Sequence, residues 1–115
     1  MRRVILVLVF LAAAAGSAAA QSTSINGTIE GVISDESGGV LPGVTVTVTN
    51  LDTGDTRVVV TNESGLYRAP LLSLGKYRVT AELQGFKKLE QTGINLSAGQ
   101  TAVISMKLGV GALTE

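Results

Sequence analysis

The sequence predicts an all-β domain, a sandwich of two sheets built from about seven strands, behind a secretory signal peptide. Three observations lead to this prediction. The 115 residues are rich in Val, Thr and Gly, and only 3% of them are aromatic. Several stretches alternate apolar and polar side chains with a period of two, as half-buried strands do. Turns that contain glycine separate these stretches at intervals of roughly ten residues, a spacing typical of β-sandwiches.

The amino-terminal residues have the three parts of a signal peptide. Arg2 and Arg3 form a short positive region, and residues 4–15 are an uninterrupted apolar run. Ala18 and Ala20 then offer a cleavage site before Gln21. The apolar run is shorter than the about 20 residues that a membrane-spanning helix needs. We therefore expect residues 1–20 to direct export by the general secretory route, to the periplasm, the outer membrane or the medium.

The chain after the signal peptide is expected to form one domain. Residues 21–27 are predicted to be a short linker, residues 28–108 the sandwich and residues 109–115 a tail. Without the two signal-peptide arginines the chain carries 7 basic and 9 acidic side chains, a net charge of −2. This charge offers no basic surface to nucleic acid, and no span of the mature chain is expected to cross a membrane.

The strands are predicted from alternation and from the turns between them. Residues 44–50 give the clearest pattern, with Val44, Val46 and Val48 on one face and threonines on the other. Pro70 is expected to end the fourth strand, and the polar stretch up to Thr92 is predicted to be a loop. The predicted strands are residues 28–34, 44–50, 56–61, 66–69, 76–83, 94–96 and 101–108.

Five residues are predicted to have structural roles in turns. Proline fixes φ near −65°, and glycine reaches the positive φ that many turns require. These residues are Pro42, Gly43, Gly65, Gly75 and Gly85.

The order of these turns resembles a known family. The segments that carry the resemblance are GVISD (31–35), GGVLPGVTV (38–46), NESGLY (62–67), LGKY (74–77) and GF (85–86). Together they resemble the carboxypeptidase regulatory-like domain, a seven-stranded transthyretin-like (prealbumin-like) β-sandwich. In that family such domains often follow a signal peptide at the amino terminus of TonB-dependent outer-membrane receptors. The resemblance implies either the leading module of such a receptor, cut short, or a free-standing periplasmic domain.

The composition argues against catalysis and against a bound cofactor. The chain contains no His and no Cys, so the usual catalytic triads, the common zinc and iron–sulfur ligands, and disulfide bonds are all excluded. Asp52, Asp55 and Glu63 are candidates for a calcium site. Their spacing matches no EF-hand loop, however, and a solvated turn is the favoured interpretation. We expect no enzymatic activity, no cofactor and no metal.

Two functional hypotheses remain. The first is a non-catalytic exported interaction module whose partners are other domains or proteins of the bacterial cell envelope. Its surface would be the stripe of Thr45, Thr47 and Thr49, as a flat face or as an edge for strand addition, although such a stripe is more often the wet side of a sheet. The alternative is a secreted accessory domain that binds carbohydrate or peptide. Of the aromatic residues, Tyr67 and Tyr77 are expected in the core. Phe86 is expected to be partly exposed and is a candidate residue of the interaction surface, where it would contact a carbohydrate ligand.

Overall fold

A computed structural model describes residues 25–111 of the chain. These residues form eight β-strands and no helix, which confirms the predicted all-β class. The strands are β1 (Gly27–Asp35), β2 (Thr45–Asn50), β3 (Thr56–Val60), β4 (Leu66–Leu72), β5 (Gly75–Glu82), β6 (Leu89–Leu96), β7 (Thr101–Val103) and β8 (Met106–Leu108).

The strands form two four-stranded sheets. In the first, called the β1 sheet, β4 pairs with β1 in antiparallel fashion, and β7 and β8 both pair with the other side of β1 in parallel. In the second, called the β2 sheet, the order is β3-β2-β5-β6 and every pair is antiparallel. The chain crosses from the β2 sheet to the β1 sheet between β3 and β4.

The core lies between the two sheets and is built from alternate residues of the strands. Along β2, Val46 and Val48 are fully buried while the threonines between them are half-buried. Both tyrosines, Tyr67 and Tyr77, lie in this core, as predicted. Burial of such apolar side chains is the main source of stability in a domain without disulfides. The other buried apolar residues are Ile29, Ile33, Val44, Ala69, Leu72, Val79, Ala81, Ile94, Leu96, Ala102, Met106 and Leu108.

Asn50, at the end of β2, is a fully buried polar side chain. Its Oδ1 accepts the backbone amides of Asp52 at 2.8 Å and Thr53 at 3.0 Å, and its Nδ2 donates to Ser73 Oγ at 3.3 Å. Within residues 25–111 no buried side-chain nitrogen or oxygen lacks a hydrogen-bond partner. The cost of burying this amide is therefore offset by satisfied hydrogen bonds.

Pro70 does not end β4, so that prediction was wrong. Ile33 N donates to Gly65 O, and hydrogen-bonded pairs recur at every second residue of the ladder from there. Ala69, opposite Ile29, is therefore bonded to β1, whereas the backbone nitrogen of Pro70 faces away from β1. Because β4 is an edge strand, the amide that proline lacks is not needed there. The register between β1 and β4 also shifts at this point.

β6 begins at Leu89, five residues before the predicted strand. Residues 89–93 are all exposed, so this edge strand shows no apolar alternation that the sequence could reveal. The register against β5 shifts between Tyr77 and Val79, and Gly93 has a φ of 77°. An irregular edge of this kind discourages pairing with further strands.

The last predicted strand is interrupted at Ile104 and Ser105, which raises the strand count from seven to eight. Ile104 N donates to Glu30 O at 2.7 Å, and Val32 N donates to Ser105 Oγ at 3.1 Å in place of a carbonyl. The carbonyl of Ile104 reaches so close to Gly31 that a Cβ there would clash with it. At this interruption Ile104 is partly buried and packs against the core, in agreement with the inward position that the alternation predicts.

Candidate functional site

The threonine stripe lies on the outer face of the β2 sheet. Thr45, Thr47 and Thr49 are half-buried, and their strand is paired with β3 on one side and β5 on the other. The alternative that this stripe forms an edge for strand addition was therefore wrong, because β2 has no free edge. The flat-face alternative remains a prediction.

Two exposed valines extend this face. Val60 is paired with Thr45 and Val58 with Thr47, so their side chains point outward beside the threonines. Each valine is 59% exposed. We call Thr45, Thr47, Thr49, Val58 and Val60 together the Thr/Val patch. Sequence reasoning missed the valines because three consecutive valines in β3 show no alternation that assigns a face.

The backbone of β3 is open along its outer edge. Asn50 N donates to Asp55 O at 2.8 Å, and bonded pairs alternate from there along an antiparallel ladder. Arg57 and Val59 therefore occupy the positions bonded to β2. The amides and carbonyls that point away from the sheet belong to Thr56, Val58 and Val60.

Arg57 lies near one end of this open edge. It is paired with Val48 and so lies on the inner face of its strand, and its Nη1 donates to Pro70 O at 2.7 Å. An inward-pointing charge at an edge limits uncontrolled strand pairing. Beyond Arg57, β3 has no register shift and no proline, unlike the edge strands β4 and β6.

A shallow depression of about 440 Å³ adjoins the Thr/Val patch at Thr45. It brings two predicted surface residues, Thr45 and Phe86, to one place, whereas Thr47 and Thr49 do not line it. Glu82, Gln84 and Lys88 supply polar groups at its wall. The remaining lining residues are Gly43 and Leu83.

Phe86 is held by backbone contacts on both sides. Its amide donates to Leu83 O at 3.0 Å, closing a turn in which Gly85 has a φ of 89°. Val110 forms an antiparallel bridge with Phe86. The ring is half-buried and packs against the core, so one part of it faces the depression while another anchors the loop.

Four of the five predicted turn residues lie in turns or bends, and Gly75 is the first residue of a strand. Pro42 and Gly43 precede β2, and Gly43 has a φ of 79°. Gly65, with a φ of 74°, stands where a Cβ would lie 2.7 Å from Ile33 O, so this position admits no side chain. Gly75 begins β5 with a φ of 140°. Each residue therefore shapes a connection, and Gly43 also lines the depression.

Acidic side chains in the turns accept hydrogen bonds from nearby backbone amides and a hydroxyl. Asp52 Oδ2 accepts Lys76 N at 3.1 Å. Asp35 accepts the Ser37 hydroxyl at 2.6 Å, and this bond, with a further one from Gly39 N, lowers the pKa of the Asp35 carboxyl from its ordinary value. Across residues 25–111 no three acidic side chains lie close enough together to hold a metal ion.

Tyr67 is a buried titratable group beneath the β1 sheet. Its hydroxyl donates to Ile104 O at 2.6 Å. Burial, together with the negative charge of Glu30, raises the pKa of the Tyr67 hydroxyl above its ordinary value of 10.0. The hydroxyl therefore stays protonated and bonded to the interrupted strand, a structural role that involves no reacting group.

The chain matches a known protein family over most of its length. The model of the carboxypeptidase regulatory-like domain matches residues 28–109. The chain belongs to this family. The match confirms the family resemblance seen in the turn motifs, and the carboxypeptidase regulatory-like domains are non-catalytic. No curated protein matches the chain.

Solved structures with a similar fold come from proteins of different kinds. The TIE protein of Bacillus anthracis is 23% identical with a TM-score of 0.63, over 76% of this chain and 17% of that one. A Bacteroides uniformis protein proposed to bind carbohydrate is 22% identical with a TM-score of 0.56, over 72% and 41%. Catechol 1,2-dioxygenase of Acinetobacter radioresistens is 12% identical with a TM-score of 0.63, over 78% and 53%. This domain thus spans between about a sixth and a half of those chains, and the likeness shows the fold alone.

Residues 25–111 of this carboxypeptidase regulatory-like domain contain no helix that is long and apolar enough to cross a membrane.

Proposed function

We propose that this carboxypeptidase regulatory-like domain is a non-catalytic interaction module of an exported bacterial envelope protein, resembling the amino-terminal domain of a TonB-dependent receptor. The observation that carries the proposal is the Thr/Val patch together with the open edge of β3. The patch is uncharged, and the outward charged residues of the neighbouring β5, Arg78 and Glu82, lie at its border, paired with Thr49 and Thr45. Uncharged, partly apolar surface of this kind favours protein contact.

The partner that fits is an extended segment of another envelope domain or protein. Such a segment would pair its backbone with the free amides and carbonyls of β3, as in strand addition. Alternate side chains of the segment would then lie against Val58 and Val60. Affinity would come from the backbone bonds, and selectivity from β-branched or other compact apolar residues at every second position.

Site-specific photo-crosslinking in the envelope of the producing bacterium tests this role. A photoreactive residue at Val58 is expected to crosslink to one defined envelope protein or domain. Val103 is the matched control, since it is a 65% exposed valine on the other sheet. The crosslink should disappear in the T45K/T47K double variant. Equal crosslinking from both positions, or a crosslink that survives the double variant, would contradict the proposal.

Export is part of the proposal, and the predicted signal peptide lies outside the described residues. Amino-terminal sequencing of the protein recovered from the envelope should begin at Gln21. Recovery of uncleaved protein in the cytoplasm would contradict export.

The depression at Phe86 favours carbohydrate binding as a second candidate. It is lined by an aromatic ring, a carboxylate, an amide and an amine, the groups that stack on and hydrogen-bond to sugars, and one structural neighbour is proposed to bind carbohydrate. On a glycan array, saturable binding that is kept by F86Y and lost in F86L would support this role. The leucine keeps the packing against the core, so loss of binding would not reflect unfolding.

A further inference from the structure

The polypeptide enters and leaves the sandwich at opposite ends of one sheet. β1 is nine residues long and begins at Gly27, while β8 ends at Leu108. Because β7 and β8 run parallel to β1, the end of β8 lies beside the end of β1, with Leu108 opposite Asp35. A nine-residue strand is about 30 Å long. The points of entry and exit are therefore separated by about that distance along the strand axis.

This arrangement places tension along the chain in shear. A pull on the segments that flank the sandwich draws β1 towards its start and β8 towards its end. The ladder bonds of a parallel pair are evenly spaced along the strands, so all of them share the load. When two strands are pulled apart from a common end, the bonds break one after another under a much smaller force.

The bonds that would carry the load extend along most of β1. Thr28 N donates to Gln100 O at 2.9 Å and Ile104 N donates to Glu30 O at 2.7 Å. In the middle, where the partner strand is interrupted, Ser105 Oγ accepts the amide of Val32 at 3.1 Å. The hydroxyl of Ser105 thus keeps the ladder continuous between β7 and β8.

Further backbone bonds lie at both ends of the ladder. Gly99 N donates to Asn26 O at 2.9 Å at the start of the ladder. After the end of β8, Lys87 N donates to Gly109 O at 2.8 Å, which ties the exit segment to the loop between β5 and β6. Among the described strands, β7 and β8 pair with β1 alone. Once the bonds that join residues 109–111 to residues 85–87 have opened, a pull on the exit segment is therefore carried by the β1 ladder.

We propose that this domain has a second function as a load-bearing link, in which the ladder between β1 and β7–β8, here called the β1 clamp, transmits tension between the segments on either side of the sandwich. The β1 clamp lies in the β1 sheet, away from the Thr/Val patch and the open edge of β3. The proposal therefore stands whether or not those surfaces bind a partner.

Single-molecule pulling on the full chain tests the clamp directly. The protein has no cysteine, so pairs of introduced cysteines define the pulling points. The pair I25C/V110C uses two residues that are 72% and 73% exposed and loads the clamp in shear. The pair I25C/A98C uses an exposed loop residue beside Asn26 and separates β1 from β7 at their common end. The unfolding force should be several-fold higher for the first pair.

A matched pair of serine variants separates clamp strength from general stability. S105A removes the acceptor of Val32 N inside the clamp, whereas S73A removes an acceptor of Asn50 Nδ2 outside it. In the shear geometry S105A should lower the unfolding force clearly and S73A should leave it close to that of the parent, since forced unfolding follows the barrier along the pulled direction. Equal forces in the two geometries, or equal effects of the two serine variants, would overturn the proposal.

Discussion

The two sheets of the sandwich are built differently, although they share one core. The β2 sheet is antiparallel throughout, and its two-residue alternation sends valines inward and threonines outward. The β1 sheet is mixed, and it contains a proline in one edge strand and a break in the other. The regular sheet offers a flat face and an open edge, while the irregular sheet holds the two ends of the domain. The surface proposed for binding thus lies on the regular sheet, and the points where the chain enters and leaves the domain lie on the irregular sheet.

The Thr/Val patch also differs in charge from the outer face of the β1 sheet, although charged residues of β5 and β6 lie elsewhere on the β2 sheet. The Thr/Val patch carries no charged residue, whereas the outer face of the β1 sheet has an ion pair between Arg68 Nε and Glu30 Oε1 at 3.3 Å. An exposed pair of this kind contributes only about 0–1 kcal/mol to stability. An apolar partner on that face would have to desolvate both charges. The comparison therefore favours the Thr/Val patch as the contact surface.

The largest expected effect separates the two faces of β2. V46D places a charge in the fully buried position 46, and we expect a loss of at least about 4 kcal/mol, enough to unfold a domain of ordinary stability. T47D, one residue along on the outer face, should remain folded. Thermal melts of the two variants check this, and similar melting temperatures would contradict the assignment of faces.

The second-largest expected effect is a loss of stability from a change in the β1 sheet. G31A introduces a methyl group against the carbonyl of Ile104, and relief of that clash is expected to cost about 1–3 kcal/mol. G39A is the control, because its added methyl group would make ordinary contacts with Asp35. Urea denaturation should show a clear loss for G31A and little change for G39A. Equal stabilities would mean that the interrupted strand does not approach β1 so closely.

Alkaline pH should act on the β1 sheet through Tyr67. The pKa of the Tyr67 hydroxyl is higher in the folded protein than in the unfolded chain. Burial of the neutral hydroxyl therefore contributes its full stabilisation of the fold below the ordinary pKa of 10.0. This stabilisation declines as pH rises above that value, because the unfolded chain ionises first. Stability measured between pH 8 and pH 11 (about one unit above that value) should fall more steeply for the parent than for Y67F. Parallel pH profiles would show that burial of this hydroxyl does not affect its titration.

The smallest expected effect is at the surface proposed for binding. V58K replaces a valine that is 59% exposed and should change the free energy of unfolding by no more than about 0.5 kcal/mol. When the photoreactive residue is placed at Val60, the other exposed valine of the Thr/Val patch, V58K should abolish its crosslink to the partner. A large loss of stability would indicate that Val58 has a structural role in the core.

The sequence was sufficient to predict the parts of the fold that obey simple alternation. The faces of β2, the burial of both tyrosines and the two-sheet class all follow from a two-residue period and from turn chemistry. These rules need only local information, since each inward side chain is identified by its neighbours along the chain.

The features that the sequence did not reveal depend on contacts between distant residues. Pro70 is tolerated because β4 lies at an edge, and the interruption at Ile104 arises from its approach to Gly31. The polar start of β6 is a strand only because it pairs with β5. Within the candidate site, the valines of β3 acquired a face from their register with β2, and the meeting of Thr45 with Phe86 required the complete fold.

Amide hydrogen exchange along β3 tests the central claim, that this strand presents an open edge to a partner. In the free protein the amides of Thr56, Val58 and Val60 should exchange rapidly, while those of Arg57 and Val59 are protected by their bonds to β2. Addition of the crosslinked partner should slow the exchange of the first three. Protection of all five amides in the free protein, or unchanged exchange when the partner is bound, would contradict the account.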